Sequence, residues 1–463
     1  MMIQNSLIIA RPRSSPLAID KPTLVTLIAA SLLISETFAG ALRYYLDMAG
    51  ISALLYLPKM ACLAAVALEL PYARSKPGVW LVLFALAVSS MLALLHGASP
   101  GNIGFSVFIY VPLLFGLFCG SYLERRVVLL GWVIGLCLVA SLIGIALDMF
   151  TSVPWKGYSY MMGDVELTAN KSWGFGSTDR LAGFARMSTN LAVMIALYSL
   201  FLAAFLQSRL LRMLLYPLAF GAIILTTNKS TAAAYLLTLM MLFLAGYRVP
   251  SATAFLIAVL MGAALPAASL LLSIPQSEAY SESLFASFND RLINSWPNFI
   301  EVIVNEGWGW WGAGFGAVGS SAAAFPLTWL ELLSIADNTA LYLWGMLGVL
   351  GVLLYLLLFP LLLRLHDRGS RIRDALLGIV FCSCLVGWAT DVLEVTTASL
   401  FIGVAIAHVL RPGEAPYRTR YSQIETRPPR CGLDPYPPIS RNELRWASAF
   451  IFNHWHWSPR FVP

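Results

Sequence analysis

The sequence predicts an all-α, polytopic integral membrane protein, because it is unusually apolar and its apolar residues are grouped in long runs. Of the 463 residues, 59% are hydrophobic and only 12% are charged, and the mean hydropathy is +0.74. A soluble domain contains roughly 25% charged residues. Runs of about 20 apolar residues are long enough to span a bilayer as helices. We therefore predict about 12 transmembrane helices, at 23–42, 51–70, 79–96, 103–122, 127–147, 187–206, 213–227, 231–247, 251–273, 338–363, 374–390 and 396–410.

The distribution of basic residues predicts that both termini are cytoplasmic. Cytoplasmic loops of polytopic proteins are enriched in Lys and Arg. With the N-terminus inside, all but eight of the 30 basic residues fall in cytoplasmic segments. The net charge of +6 therefore reflects topology, and no nucleic-acid partner is predicted. The eight exceptions are Arg43, Lys59, Lys156, Lys171, Arg180, Arg186, Lys229 and Arg291.

Composition divides the chain into three regions. Residues 1–22 form a polar cytoplasmic segment, 23–410 form the predicted transmembrane catalytic domain, and 411–463 form a Pro- and Arg-rich cytoplasmic tail predicted to be disordered. Two long polar segments, 148–186 and 274–337, interrupt the apolar pattern of the middle region. We predict that both are extracytoplasmic loops.

Two local patterns predict further structure. Apolar residues near helical spacing in 281–307 predict two short amphipathic helices lying on the membrane surface, separated at Pro297. Glu36 and Lys59 both lie inside apolar runs, at similar depth below the outer surface. They are predicted to pair across the first two helices, either as a structural pair or as part of a substrate site.

Several cations precede apolar runs on the predicted outer face. Arg180 and Arg186 precede the sixth run, Lys229 begins the eighth, and Arg291 lies in the segment before the tenth. Helix N-termini favour anions, and arginine bonds phosphate oxygens bidentately. These residues predict a site for a phosphorylated headgroup. The alternatives are solvated loop arginines, a lysine that extends to the interface, and pairing of Arg291 with a carboxylate such as Asp290.

Asp337 is a candidate general base, because a carboxylate beside a polar cleft can accept a hydroxyl proton. It precedes the tenth apolar run, where Asp and Asn are also preferred N-caps. The alternative is therefore that Asp337 or Asn338 only closes the first turn of that helix. Asp391 and Glu394, three residues apart at the outer end of the eleventh run, are further carboxylate candidates.

A glycine- and tryptophan-rich stretch, residues 307–319, is a candidate glycan-binding surface. Trp308, Trp310 and Trp311 could present flat faces to sugar rings, or could form an interfacial aromatic belt. Asn338 is a further candidate glycan ligand. The chain contains no GxxxxGK[ST], no HExxH and no Asp-x-Asp pair. A lipid-linked substrate is therefore favoured over a soluble nucleotide sugar, and no metal site is predicted.

Four stretches resemble, in the expected order, motifs of the O-antigen ligase and polymerase (Wzy-type) superfamily of bacterial inner-membrane proteins. RLAGFARMSTN (180–190) resembles its Arg-x-x-Gly and Pro-Asn signature, and TTNKSTAAA (226–234) its Thr-x-Ser-Arg-x-Ala helix start. Arg291 followed by GAGFG (312–316) resembles its Arg…Gly-x-Gly loop. DNTALYLWGMLGVLG (337–351) is similar to its His-Asn-x-x-Leu…Gly-x-x-Gly helix.

The resemblance covers about residues 175–355 and implies a metal-independent, GT-C-like membrane glycosyltransferase that needs no cofactor. The implied substrate is an undecaprenyl-diphosphate-linked oligosaccharide at the outer face of the inner membrane. The outer cations would hold the donor diphosphate and stabilise it as it leaves. Asp337 would take the acceptor's proton, with Arg291 as its catalytic partner. Membrane lipid and polysaccharide export or chain-length proteins are the implied partners.

Three positions depart from the superfamily pattern. Thr189 stands where proline is usual, Lys229 where arginine is usual, and Asp337 where ligases have histidine. Lysine keeps the charge but loses the bidentate fork. The aspartate weakens the similarity to ligases and favours a polymerase.

Three functions remain open at this level. The first is a polymerase that joins repeat units of an exopolysaccharide or O-antigen. The second is an O-antigen ligase that transfers glycan to a lipid acceptor. The third is a non-enzymatic transporter of lipid-linked glycan, a class that tends to show internal repeats and broken helices. No convincing repeat is found in this sequence.

Overall fold

The structure is a computed structural model, and it describes residues 20–75, 77–162, 165–168, 174–175, 178–271, 286–326, 331–367 and 370–411. Most of the predicted cytoplasmic N-terminal segment and of the predicted disordered tail lies outside these ranges. Residues 274–285 and 327–330 of the predicted second outer segment lie outside them too, as do the last two residues of the predicted run 251–273.

Helices form most of the described chain, as the sequence predicts. In order, they are α1 (Lys21–Thr37), α2 (Ala39–Met48), α3 (Leu57–Glu69), α4 (Pro77–Leu95), α5 (Pro100–Arg125), α6 (Val127–Phe150), α7 (Ser188–Phe205), α8 (Arg209–Leu225), α9 (Lys229–Leu244), α10 (Arg248–Ser269), α11 (Ala286–Asp290), α12 (Trp296–Asn305), α13 (Ser320–Ala324), α14 (Thr339–Leu347), α15 (Val349–Leu356), α16 (Leu358–His366), α17 (Arg371–Val386) and α18 (Thr396–Val409).

Short non-α elements complete the structure. The predicted first outer segment contains two small antiparallel hairpins, which the sequence analysis did not foresee. Strand β1 (Ser159–Met162) pairs with β2 (Val165–Thr168), and β3 (Gly174–Phe175) pairs with β4 (Thr178–Asp179). Single 3₁₀ turns occupy Ser52–Tyr56, Leu70–Ser75, Glu331–Ser334 and Val392–Glu394, and a π-helical turn occupies Arg291–Ser295.

The helices indicate a membrane protein. Within the described residues, six segments are long and apolar enough to cross a bilayer, and a seventh is added if α1 and α2, bent by 84°, form one span. Shorter apolar helices occupy Trp80–Leu95, Lys229–Leu244 and Thr396–Val409. The six are Ser52–Tyr72, Pro100–Arg125, Val127–Phe150, Ser188–Phe205, Arg248–Ser269 and Val349–His366.

The core is built around α7, α17 and α18. Their side chains are buried on nearly every face, which is typical of a helix that is apolar all round. Helix α18 packs closely on α5 at a pair of glycines, Gly116 and Gly403. A Cβ on Gly116 would meet the carbonyl oxygen of Leu400 at 2.2 Å. Small residues therefore allow the two backbones to touch, as in membrane helix pairs.

The predicted tenth apolar run is divided into α14, α15 and α16. Between α14 and α15, Gly348 has φ +60° and lies against the Trp310 carbonyl, which a Cβ would meet at 2.1 Å. That carbonyl accepts a hydrogen bond from Val349 N at 3.1 Å. The glycine-rich stretch, residues 307–319, therefore packs against the chain at Gly348, where the predicted long helix is broken.

The amphipathic segment 281–307 differs from the prediction. Helix α12 does begin beside Pro297, but its apolar face is covered by protein rather than left for the membrane surface. Trp296, Phe299 and Ile303 are fully buried. A Cβ on Gly345 of α14 would lie 2.5 Å from the Phe299 ring, so the glycine makes room for α12.

The predicted pairing of Glu36 and Lys59 is confirmed. Lys59 Nζ lies 3.5 Å from Glu36 Oε1, and the lysine also lies over the Phe108 ring, 4.7 Å from its centroid. Glu36 Oε1 additionally accepts a hydrogen bond from Thr396 Oγ1 at 2.8 Å. The carboxylate therefore links α1, α3 and α18, which is a structural role.

Candidate functional site

An ion pair joins the two ends of the predicted outer segment 274–337. Arg291 Nε donates to Asp337 Oδ2 at 3.0 Å. Arg291 Nη1 donates to the carbonyl and hydroxyl oxygens of Ser287, at 3.0 and 2.7 Å. Asp290, the alternative partner for Arg291, instead accepts a hydrogen bond from Asn294 at 2.7 Å. Two of the predicted catalytic residues, 46 positions apart, are thus in direct contact.

Asp337 has an unusual backbone conformation. Its φ is +46°, in the left-handed region, which costs about 1–3 kcal/mol for a residue with a side chain. The next residue, Asn338, caps α14 by accepting a hydrogen bond from Leu341 N at 2.9 Å. The N-cap is therefore Asn338, and the Asp337 carboxylate is left to Arg291.

Asn338 is not placed to bind a glycan, which corrects the expectation above. Its side chain is fully buried. While Oδ1 caps α14, Nδ2 donates to Gly262 O at 2.9 Å and to Trp388 O at 3.1 Å. The Asn338 amide bonds to three helices or their ends, and we infer that its role is to position Asp337.

Two further carboxylates, Asp391 and Glu394, lie in the turn between α17 and α18. Glu394 accepts hydrogen bonds from Ser320 N at 2.8 Å, from the Ser320 hydroxyl, and from Tyr342 OH at 3.2 Å. Burial raises the pKa of Glu394. Burial also raises the pKa of Asp391 well above its usual value, and the charges of Glu394 and Asp337 raise it further. The three carboxylates are therefore close enough to interact.

The loop that carries Arg180 and Arg186 is fixed by a carboxylate at the end of α6. Asp148 Oδ2 accepts from Ala182 N at 2.8 Å and Gly183 N at 3.0 Å. Gly183 has φ +56°, and a Cβ there would lie 3.0 Å from the backbone of α6. Residue 183 must therefore be glycine, and its close approach to α6 determines where the Arg180 backbone lies.

Electrostatic interactions connect this loop with the other candidates. Burial lowers the pKa of the Arg180 guanidinium, and the positive charge of Arg291 lowers it further. The charge of Arg186 opposes the rise in the pKa of Glu394. Arg180 therefore neighbours Arg291, and Arg186 neighbours Glu394. These interactions connect Arg180 with Arg291, which pairs with Asp337, and they connect Arg186 with Glu394.

Lys229 is exposed at the first position of α9. The preceding residues repeat the arrangement at Asp337 and Asn338. Thr227 has φ +57°, and Asn228 caps the helix by accepting from Thr231 N at 3.0 Å. Two predicted motif starts therefore share one local conformation, a left-handed residue followed by an asparagine cap.

The tryptophans of the glycine-rich stretch are not equivalent. Trp308 is buried and stacks on His96, with ring centroids 4.5 Å apart. His96 Nδ1 lies 2.8 Å from the Ala313 carbonyl oxygen, which fixes the stretch against the end of α4. Trp310 and Trp311 are 75% and 73% exposed. Of the three, only these two present open ring faces to a sugar.

Several residues that shape the site belong to none of the predicted motifs. Asp148, Ser320, Tyr342 and His96 all bond to motif residues or to their carboxylates. The only signal for Asp148 is an acidic residue at the end of a long apolar run. The others carry no local signal, because their partners lie far away in the sequence.

A scan against protein-family models and a search of curated proteins give no match. The resemblance to the polymerase and ligase superfamily therefore rests on the motif residues themselves.

Proposed function

We propose that this chain is a polysaccharide polymerase that joins undecaprenyl-diphosphate-linked oligosaccharide repeat units at the outer face of the bacterial inner membrane. In this proposal the chain has twelve spans, cytoplasmic termini and the site on the outer side. Membrane lipid surrounds it, and export or chain-length proteins are its partners. The main support is the contact between Arg291 and Asp337, which joins a phosphate-binding cation to a candidate base.

The arginine cluster supports a diphosphate donor. Arg180 and Arg291 are both half-buried, and the positive charge of Arg291 lowers the pKa of Arg180. An anion with two phosphates would relieve this repulsion, and arginine forks match phosphate oxygens. Arg180, Arg186 and Arg291 would hold the diphosphate directly, and Lys229 would approach it from the surface.

The proposed reaction is a displacement at the anomeric carbon of the donor. An acceptor sugar hydroxyl attacks that carbon, its proton passes to Asp337, and the bond from carbon to the diphosphate oxygen breaks. The products are a new glycosidic bond and a lipid diphosphate that leaves with the electron pair. The arginines stabilise the charge that develops on the leaving oxygen.

The ion pair suggests that donor binding prepares the base. Asp337 Oδ2 accepts a hydrogen bond from Arg291 Nε at 3.0 Å. When the diphosphate recruits Arg291, that oxygen becomes available to the acceptor hydroxyl. The base would therefore act only after the donor has bound, which predicts an ordered mechanism with the donor first.

The test is incubation of the purified protein with a lipid-linked repeat unit. Wild-type protein is expected to give a ladder of products, and Arg180→Ala, Arg291→Ala and Asp337→Asn are expected to lose it. Arg248→Ala is the matched control, because Arg248 is 83% exposed and lies 4.0 Å from its partner, Asp367. Full-length polymer from the Arg180 and Arg291 variants would show that the site is wrongly assigned.

A ligase would use the same cluster, and a deletion strain separates the two activities. Loss of a polymerase leaves single repeat units on the lipid carrier, whereas loss of a ligase leaves full-length carrier-linked chains.

One observation favours the transporter alternative, namely the interruption between α14 and α15 at Gly348. Broken helices are common in transporters. Protein that moves lipid-linked glycan across vesicle membranes without extending it would support that function instead.

A further inference from the structure

A series of aromatic rings leads outward from the arginine loop. Consecutive ring centroids are 5.6 Å apart from Phe184 to Trp155, 6.1 Å from Trp155 to Tyr45, 5.2 Å from Tyr45 to Tyr44, and 5.3 Å from Tyr44 to Tyr158. We call these five residues the aromatic track. They come from three separate parts of the chain, namely α2, the segment after α6 and the loop before α7.

The inner end of the track belongs to the loop that carries Arg180 and Arg186. Phe184 lies between the two arginines in sequence, and its carbonyl accepts hydrogen bonds from the first turn of α2, with Gly40 N at 2.8 Å. Trp155 Nε1 donates to Gly183 O in the same loop at 2.8 Å. The track and the proposed diphosphate site therefore share one rigid support.

The outer end of the track is open and has polar edges. Trp155 is 7% exposed, whereas Tyr45 is 54% exposed. The Tyr158 hydroxyl donates to the carboxylate of Asp47, which is itself exposed on α2. Helix α2 turns away from α1 by 84°. The Tyr44 ring packs edge-to-face with Tyr45 and with Tyr158, and Tyr45 is the ring that is most exposed. An exposed ring with hydroxyl and carboxylate groups beside it is suited to a ligand that is apolar on its faces and polar around its rim.

We propose that the aromatic track binds the pyranose rings of the lipid-linked glycan, distal to the diphosphate. This inference rests on the proposed function and adds a binding site for the sugar portion of the substrate. The position supports this occupant, because Phe184 lies in the loop that carries Arg180, Trp155 hydrogen-bonds to that loop, and the exposed Tyr45 follows Trp155 in the track. The exposed carboxylate of Asp47 beside the track makes the track unsuited to lipid tails.

The first test measures glycan binding without transfer. The probe is the oligosaccharide released by mild acid from the lipid-linked glycan of the cell that makes this protein, and its affinity for the detergent-purified full chain is measured. Wild type is expected to bind it, and Tyr44→Ala/Tyr45→Ala is expected to bind about tenfold more weakly or worse, a loss of about 1.4 kcal/mol. Tyr44→Phe/Tyr45→Phe keeps the rings and is expected to stay within about threefold of wild type, a change of under 1 kcal/mol.

Tyr247→Ala is the matched control, because Tyr247 is 67% exposed at the start of α10 and lies outside the track. It is expected to bind as wild type does. If the double alanine variant does not fold, Tyr45→Ala alone serves the same test. Wild-type affinity in the alanine variants, or no binding by wild type, would overturn the proposal. Unchanged affinity with a lower Tm in bilayers would instead identify the track as an interfacial anchor.

The second test follows the product ladder. If the track holds the growing glycan, Tyr44→Ala/Tyr45→Ala is expected to give shorter chains and a KM for first transfer raised about tenfold, in line with its weaker glycan binding. Chains of wild-type length from this variant would contradict the proposal. Absence of any product ladder from wild type would refute the polymerase function. The binding measurement would still show whether the aromatic track binds the glycan.

Discussion

Arg291→Ala removes one guanidinium that serves two groups, the Asp337 carboxylate in the structure and the diphosphate in the proposed reaction. In the structure the side chain makes one bond to Asp337 and two to Ser287. The paired side chains of Arg291 and Asp337 are 20% and 33% exposed, so solvent screens the pair in part. We expect the free energy of unfolding to fall by about 1 kcal/mol.

The effect on the reaction should be much larger. Removing one group that stabilises the developing charge of a transition state typically lowers the rate by about 10²–10³, or about 3–4 kcal/mol. Arg291→Lys keeps the charge but cannot bond Asp337 and Ser287 in the same fork geometry. We expect it to retain more activity than alanine and less than wild type.

The assay is the initial rate of glycosyl transfer, measured with the thermal unfolding midpoint of each variant. Asp337→Asn and the double variant complete a cycle. Because the two residues act together, their effects should be far from additive. The reasoning would be refuted if the transfer rate of Arg291→Ala fell only in proportion to the amount of folded protein. Additive effects of the two substitutions on the rate would also refute it.

Three other predictions concern stability and pH. Gly183→Ala adds left-handed backbone strain of about 1–2 kcal/mol and a close contact between the new Cβ and α6. Its Tm should therefore fall more than that of Gly157→Ala, where φ is +74° but no atom lies within 4 Å of the added Cβ. Asn338→Ala loses a cap and two hydrogen bonds to backbone carbonyls, so urea unfolding in detergent should show a loss of about 3 kcal/mol. Asn228→Ala, which loses a cap and a bond from Ser230, should lose about 1 kcal/mol. Folding raises the pKa of Glu394, so its contribution to stability is complete below its ordinary value of 4.5 and is lost as the pH rises through the raised value. Lowering the pH from neutral should therefore raise the Tm of wild type relative to that of Glu394→Gln, and equal shifts in both would contradict this.

Local composition was sufficient to predict the helical class and the helix-start motifs. In the described part of the chain, helices occupy most of each predicted apolar run, because backbone groups in an apolar setting are satisfied most simply within one helix. Asparagine caps at 228 and 338 follow from local chemistry as well. The pairing of Glu36 with Lys59 was predictable because few charges occur in these runs, and each requires a partner.

The site itself depends on contacts that no local pattern encodes. The sequence did not show that Asp337 would engage Arg291, that Asn338 would be buried, or that Asp148 would hold the Arg180 loop. Nor did it distinguish the buried Trp308 from the exposed Trp310. Residue type and spacing determine whether a segment becomes a helix, since these interactions span a few residues. Which side chains meet is decided by how the helices pack, because packing brings together residues far apart in the chain.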